Sequence, residues 1–333
     1  MIRYFLLWMS LLMGVVYAQE NFYQNKIITI VVGVPAGGGY DIYARLLSRH
    51  INKHIPGNPT VVVTNMPGAG SHVAADYVSN IAKKDGTVIG ALMMGSIAEP
   101  ILKKKSFNHD PSKYNYIGSI NTDYNVCIYN TKSGIRSFQD VINNEYIIGA
   151  AAAGSESNDW AVLMKNTVTP KVKIVSGYGS VQDQVRALIE NEVNILCAQS
   201  YSIITSIYKA NFDNGTFKFL VQMDNENGAA VLKDVPNLKD FAKTEEVKRV
   251  LELVFSQKTF SRPYMVANEV PQEQVEILRK AFNDTMVDKE FLADASNIHL
   301  DTNYLTGDKL QSTSKEVYST PSELIDKVSE YME

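Results

Sequence analysis

Cysteine is nearly absent from this chain: only Cys127 and Cys197 occur in 333 residues. That excludes a framework of several disulfides and a zinc site built from clustered thiolates. An excess of basic charge is also missing. Lys and Arg number 32 against 36 Asp and Glu, giving a formal net charge of -4 and a pI near 5.8. Nucleic acid calls for a basic face and a high pI, so it is not expected as a partner. After the N-terminus no run is long and apolar enough to span a bilayer.

Signatures of catalysis are lacking too. Gly37-Gly38-Gly39 has neither the Lys-Ser/Thr of a phosphate-binding loop nor the spacing of a dinucleotide fingerprint. Gly177-Tyr178-Gly179-Ser180 is out of register for a Gly-x-Ser-x-Gly nucleophile elbow. Ser71 and His72 are adjacent at a helix start, where neighbours do not face one another. His50 and His54 have the i,i+4 spacing of metal ligands, but no acidic or sulfur partner lies near them in sequence. They read as a solvated face beside Lys53. No catalytic residue, metal or cofactor is therefore assigned.

What is present begins with the leader. Met1-Ile2-Arg3 is a short basic start, and Tyr4 to Val16 is apolar apart from Ser10 and Gly14. Val16-Tyr17-Ala18 supplies the small residues that a signal peptidase reads, so residues 1–18 are expected to be a cleaved signal peptide and the destination the periplasm. Oxidising surroundings there permit one disulfide. The reading taken is that Cys127 and Cys197 remain two buried thiols, behaving as small apolar side chains.

The rest alternates short β-branched runs with helical stretches. Ile27 to Val34, Thr60 to Thr64, Val88 to Met93, Val126 to Tyr129, Tyr146 to Ala150, Val172 to Val175 and Asn194 to Leu196 read as strands. After Asp41 the period changes, with Ile42, Leu46 and Leu47 at helical spacing. Val181, Val185, Leu188 and Ile189 fall at i, i+4, i+7 and i+8. The tail is helical, one helix opening at Pro271 and a last one at Thr320-Pro321-Ser322-Glu323. Strand, glycine turn and helix in alternation predict parallel α/β sheets.

Five strand-to-helix turns share one chemical design. They are Ala36-Gly37-Gly38-Gly39-Tyr40-Asp41, Gly68-Ala69-Gly70-Ser71-His72, Gly95-Ser96, Gly154-Ser155-Glu156-Ser157 and Gly177-Tyr178-Gly179-Ser180. Small residues let a ligand approach the backbone, and the first amides of the next helix point outward unpaired. Those amides favour an anion. None of the five turns contains Arg or Lys. These residues are the candidate substrate-binding set, with Tyr40 and Tyr178 expected to wall the pocket.

Val32-Gly33-Val34-Pro35-Ala36-Gly37-Gly38-Gly39-Tyr40-Asp41, Asn65-Met66-Pro67-Gly68-Ala69-Gly70 and Lys84-Asp85-Gly86-Thr87 together resemble the opening of the Bug family. The resemblance continues through Gly177-Tyr178-Gly179-Ser180, Leu188 to Asn194, Asp234-Val235-Pro236-Asn237-Leu238 and the tail from Arg262-Pro263 to Leu292. Proteins of this family are periplasmic receptors of tripartite tricarboxylate transporters. The resemblance implies a two-lobed Venus-flytrap α/β fold of the type II-like periplasmic-binding-protein kind, with a hinge of crossing strands. It implies a small organic acid held between the lobes by backbone amides and bridging waters rather than by an arginine, and membrane transporter subunits as partners. Lobe one is expected over 26–123 plus 252–333 and lobe two over 124–251, in a monomer that is not an enzyme. The alternatives are a sensor subunit of a signalling system and a periplasmic α/β hydrolase. Tyr40 and Met66 depart from the family pattern, and Glu156 and Asp159 add negative charge that is expected to point away from the pocket.

Overall fold

Ile28, Ile30 and Val32 point to one face of the first strand and Val31 to the other, and all four are buried. A strand apolar on both faces belongs at the centre of a parallel sheet covered by helices on each side. The computed structural model, which describes residues 22–102, 107–122, 124–152, 155–224, 232–298 and 300–332, builds such a sheet. The expected signal peptide at 1–18 and the candidate Gly154 lie outside the described residues.

The described residues form two compact units. The first takes its described residues from Met1–Pro100, Ser106–Thr122 and Phe260–Ser314, the second from Ile101–Lys105, Asp123–Thr259 and Lys315–Glu333. In the first unit β1 (Ile27–Val32) pairs in parallel with β2 (Thr60–Asn65) and with β3 (Val88–Ala91), and β4 (Asn115–Ser119) lies further out. The second unit holds β5 (Asn125–Asn130), β6 (Ile147–Ala150), β7 (Lys173–Ser176), β8 (Ile195–Ser200) and β9 (Phe217–Gln222). The chain then returns to the first unit with β10 (Pro263–Val266) and β11 (Leu305–Thr306). The sheet orders are β11-β4-β10-β3-β1-β2 and β7-β6-β8-β5-β9.

In the first unit the helices Gly39–His50, Gln272–Met286 and Lys289–Asn297 cover one sheet face through Leu46, Leu47, Leu278, Phe282 and Phe291. The helix His72–Asn80 covers the other through Ala74, Ala75 and Val78, next to Tyr116 and Phe260. In the second unit Val185 and Leu188 of the helix Val181–Ile189 pack on Val126, Ile128 and Leu196 of the sheet. The helix Glu156–Thr167 buries Trp160, whose ring meets Phe255 at 5.1 Å between centroids.

The tail departs from the expected division. The helices Glu245–Phe255 and Ser322–Met332 both pack in the second unit, the latter on Glu156–Thr167. Val250, Val254 and Val328 are fully buried there, so the apolar stripe of the last helix finds its cover on the second unit. The tail divides at Ser314 and does not return whole to the first.

The cysteines also differ from expectation: Cys127 and Cys197 form a disulfide. Antiparallel pairing of β5 with β8, irregular between Val126 and Ile128, brings the two together across 70 residues of chain. Only that long-range pairing decides between bridge and thiols.

Both units repeat one winding. The central strand (β1 or β6) is flanked on one side by the next parallel strand (β2 or β7) and on the other by the one after (β3 or β8). The chain therefore reverses direction around the central strand. That switch point, at the carboxyl ends of the strands, is where open α/β sheets bind ligands.

Candidate functional site

In the first unit the turns after β1, β2 and β3 lead into the helices Gly39–His50, His72–Asn80 and Met94–Leu102. The first amides of each helix have no intrahelical acceptor. Gly68, Ala69, Gly70 and Ser71 all have positive φ, at 148°, 44°, 62° and 76°. Non-glycine residues there cost of order 1–3 kcal/mol each, and such strain gathers where function requires a particular backbone path.

Several candidate side chains in this unit are committed to its own interior. Ser71, fully buried, donates from Oγ to the Gly33 carbonyl at 3.0 Å and accepts the Met93 N–H at 3.1 Å. The Ser96 hydroxyl donates to the Met93 carbonyl at 2.8 Å. Asp41 accepts the Gly37 N–H at 2.8 Å, Arg45 Nε at 2.9 Å and Asn65 Nδ2 at 2.8 Å. Burial works to raise its pKa, but these hydrogen bonds and the Arg45 charge outweigh it, and the carboxyl is pulled down to about 2. The Tyr40 hydroxyl accepts the Met94 N–H at 3.2 Å.

His72 stacks on Phe107, centroids 3.8 Å apart, and its ring nitrogens lie 3.2 Å from Glu99 Oε2 and 3.3 Å from His109 Nε2. His109 Nδ1 in turn sits 2.6 Å from Asp76 Oδ1. Burial lowers the His72 pKa, more than the nearby Glu99 raises it. The side chains of these turns are thus largely committed within the unit, and so are the Gly37 and Gly38 N–H groups, taken by Asp41 Oδ2 and the Pro35 carbonyl.

The second unit holds a cavity of about 380 Å³ at the ends of β6, β7 and β8. Among its lining are Ser155, Glu156, Ser157, Gly179, Ser180 and Gln184. Ser155 caps the helix Glu156–Thr167, accepting the Asn158 N–H, and Ser180 caps Val181–Ile189, accepting the Asp183 N–H. Ser157 Oγ accepts the Ala151 N–H at 3.1 Å. Three of the predicted turn serines and Gly179 thus meet in one pocket, which has no Lys or Arg in its lining.

Two expectations for this unit change. Glu156 lines the cavity, its Oε1 accepting Asn125 Nδ2 at 2.6 Å. Tyr178 does not line the cavity: its hydroxyl donates to Glu192 Oε1 at 2.7 Å and its ring packs on the unit's own core. Burial and Glu192 together push that phenol up to about 12. Gly177, with φ 109°, makes the turn and is likewise absent from the lining.

Sequence reasoning missed the third wall, Ala198, Gln199 and Ser200. Ser200 caps the helix Tyr201–Ile207 by accepting the Ile203 N–H, so a serine three residues before Ile203 was the available signal. Ala198, with φ 53°, carries no such signal.

His50 and His54 do have acidic partners. Asp294 Oδ2 lies 2.9 Å from His50 and Asp288 Oδ2 lies 3.1 Å from His54. Lys53 binds Asp288 at 2.9 Å and Glu290 at 2.6 Å. His50, Asp288 and Glu290 bring ligand atoms within 4.8 Å of one another, but the Lys53 ammonium already serves the two acids. The partners were invisible locally because they come from the helix Lys289–Asn297 and its cap.

No helix among the described residues is long and apolar enough to cross a membrane. The model of the tripartite tricarboxylate transporter family receptor matches residues 43–301. Among solved structures, a TctC solute-binding protein from Polaromonas superposes with a TM-score of 0.69 at 19% identity, covering 92% of this chain and 99% of that one. A Rhodopseudomonas palustris protein solved with adipate gives 0.63 at 18%, covering 92% and 97%. MatC from Rhodopseudomonas palustris, with bound malate, gives 0.59 at 18%, covering 92% and 99%. At these identities the likeness is one of fold.

Proposed function

This chain belongs to the tripartite tricarboxylate transporter receptor family, and on that premise we propose that it is a periplasmic receptor which captures a small carboxylated organic molecule for a transporter of that type. The observation that carries the reading is the second unit's cavity, where helix starts capped by Ser155 and Ser180 meet at the carboxyl ends of parallel strands. Unpaired first-turn amides and the helix dipoles make such a place favourable for a carboxylate. Its volume, about 380 Å³, is at the small end of ligand pockets. Two proteins of the same fold were solved with malate and adipate, both small dicarboxylic acids.

Thermal-shift titration of the purified protein against a panel of small mono-, di- and tricarboxylic acids tests this. A ligand present at about 100 times its Kd adds about 2.7 kcal/mol to the native state, so a cognate acid raises the melting temperature clearly. A panel without a single stabilising acid would remove the reading.

A further inference from the structure

The wall of the second unit's cavity carries charge of one sign only. Its lining has no Lys or Arg, and its single ionisable side chain is Glu156. Glu156 opens the helix Glu156–Thr167, where an acid ordinarily complements the helix dipole. Asp159 in the same turn and Asp183 in the first turn of Val181–Ile189 are placed in that way too, yet neither belongs to the wall. Glu156 does. The residue is exposed, and its Oε1 accepts Asn125 Nδ2 at 2.6 Å.

Two glutamines complete the polar wall. Gln184 and Gln199 are only 2% and 4% exposed, and both line the cavity. Gln199 Nε2 donates to the Cys197 carbonyl at 3.0 Å and to Gln184 Oε1 at 3.4 Å. Among the described residues that leaves Gln184 Nε2 and Gln199 Oε1 without a hydrogen-bond partner. A buried amide atom with no partner is destabilising, so these two atoms are places for the polar groups of a ligand. The cavity therefore offers recognition of two kinds. The starts of its two helices and Gln184 Nε2 donate, which suits a carboxylate. Glu156 and Gln199 Oε1 accept, which suits a group rich in N–H, and the charge of Glu156 favours that group as a cation.

We propose that the ligand is a small carboxylic acid that also carries an ammonium group, and that Glu156 is the specificity-determining residue that selects it. This rests on the organic-acid reading above and narrows it. The carboxylate is held by main-chain N–H groups as in that reading, and the ammonium sits at Glu156. A dianion without a cation would set further negative charge beside Glu156, with no Lys or Arg in the wall to offset it. A hydroxyl in place of the ammonium keeps a hydrogen bond to Glu156 but not the charge pairing.

Calorimetric titration with two matched sets of acids decides it. Succinate, malate and aspartate share one carbon skeleton, and adipate and aminoadipate share a longer one. The parent is expected to bind aspartate or aminoadipate about tenfold to hundredfold more tightly than its nitrogen-free counterparts, the scale of one hydrogen bond to a charged group. Glu156→Gln abolishes that preference and binds the nitrogen-free acids as well as the parent does or better. Glu156→Asp, which draws the carboxylate back by one methylene, keeps part of the preference. A parent that binds the nitrogen-free acids at least as tightly, here or in the wider panel, overturns the inference and leaves the receptor reading in place. So does a Glu156→Gln protein with the parental preference, since the ammonium would then be held elsewhere. If Glu156→Gln fails to fold, Glu156→Asp carries the comparison, and an unchanged preference in it overturns the inference. A parent that binds neither these acids nor any of the wider panel removes the receptor reading itself, and this inference with it.

Discussion

Asp41 Oδ2 accepts the main-chain N–H of Gly37 at 2.8 Å while the same oxygen takes Arg45 Nε at 2.9 Å. One buried carboxylate thus ties the glycine turn to the helix that follows it, and Asn65 adds the end of β2 through Oδ1. Asp41→Asn keeps the shape but loses the charge, leaving Arg45 unpaired. Hydrogen bonds to charged groups contribute about 1.5–3 kcal/mol, and a loss of that size is expected in urea unfolding at pH 7. The sign of the pH dependence follows from a carboxyl depressed from 3.8 to about 2. Its contribution is complete above pH 4 and disappears as the pH falls from 4 through 2. Asp41→Asn should flatten the parent's acid limb in that window; an unchanged limb would show that Asp41 is not its source.

Glycines in the two units separate binding from folding. A Cβ on Gly179 meets only Asp183 Oδ2, at 3.5 Å, and Gly179 does not need positive φ. Gly179→Val should therefore unfold within about 0.5 kcal/mol of the parent, the usual range for a surface substitution, yet bind its acid far more weakly because the side chain enters the cavity. Gly118 is the converse. A Cβ there would lie 2.2 Å from the Phe282 ring, and overpacking of this kind costs about 1–3 kcal/mol. Gly118→Ala should lose stability and keep its affinity, with calorimetry and denaturation measured on the same samples. Equal effects of both changes on both properties would contradict the assignment.

The glycine turns and the parallel strands beside them could be read locally because each couples a β-branched run to a backbone break and a helical period. Val31 and Val32 announce a doubly buried strand, and Ser155 and Ser180 announce caps. Two of the antiparallel strands in the first unit gave no comparable signal. Asn115–Ser119 holds one β-branched residue and a glycine, and Pro263–Val266 begins at a proline. Whether such segments join a sheet is decided by partners far along the chain. The Cys127 to Cys197 bridge depends on such pairing, and the Asp294 partner of His50 on an equally distant helix packing. Tyr178 misled for a related reason: its place in a glycine turn suggested a pocket wall, but Glu192, 14 residues on, takes its hydroxyl.

The disulfide lies wholly within the second unit, and so does Trp160, the one tryptophan among the described residues. Trp160 is buried, so its fluorescence reports that unit's unfolding. A bridge closing a loop of 70 residues restricts the unfolded chain by about 4 kcal/mol on the chain-entropy account. Cys127→Ala with Cys197→Ala should shift the tryptophan transition in urea by an amount of that order, and reduction of the parent should do the same. A transition indifferent to both would mean that the bridge does not form in the protein.

Ser71 belongs to the candidate substrate-binding set, where one neutral hydrogen bond to a ligand would contribute about 1 kcal/mol of binding. Its placement moves that cost to folding. The hydroxyl is fully buried and joins two loops, donating to the Gly33 carbonyl and accepting the Met93 N–H. Ser71→Ala strands both main-chain groups, and a buried group left unsatisfied costs about 1–3 kcal/mol. The backbone adds a second term, because Ser71 sits at φ 76°, ψ 0° in the left-handed region. Glycine adopts that conformation without penalty, whereas an alanine there keeps the strain. Ser71→Gly should therefore be about 1 kcal/mol less destabilising than Ser71→Ala, although it removes the same hydroxyl and more side chain. Urea unfolding of the three proteins gives the order parent, glycine, alanine, and calorimetry with a cognate acid should change little across the series. Alanine more stable than glycine would show that the left-handed backbone at Ser71 is not held in the folded protein.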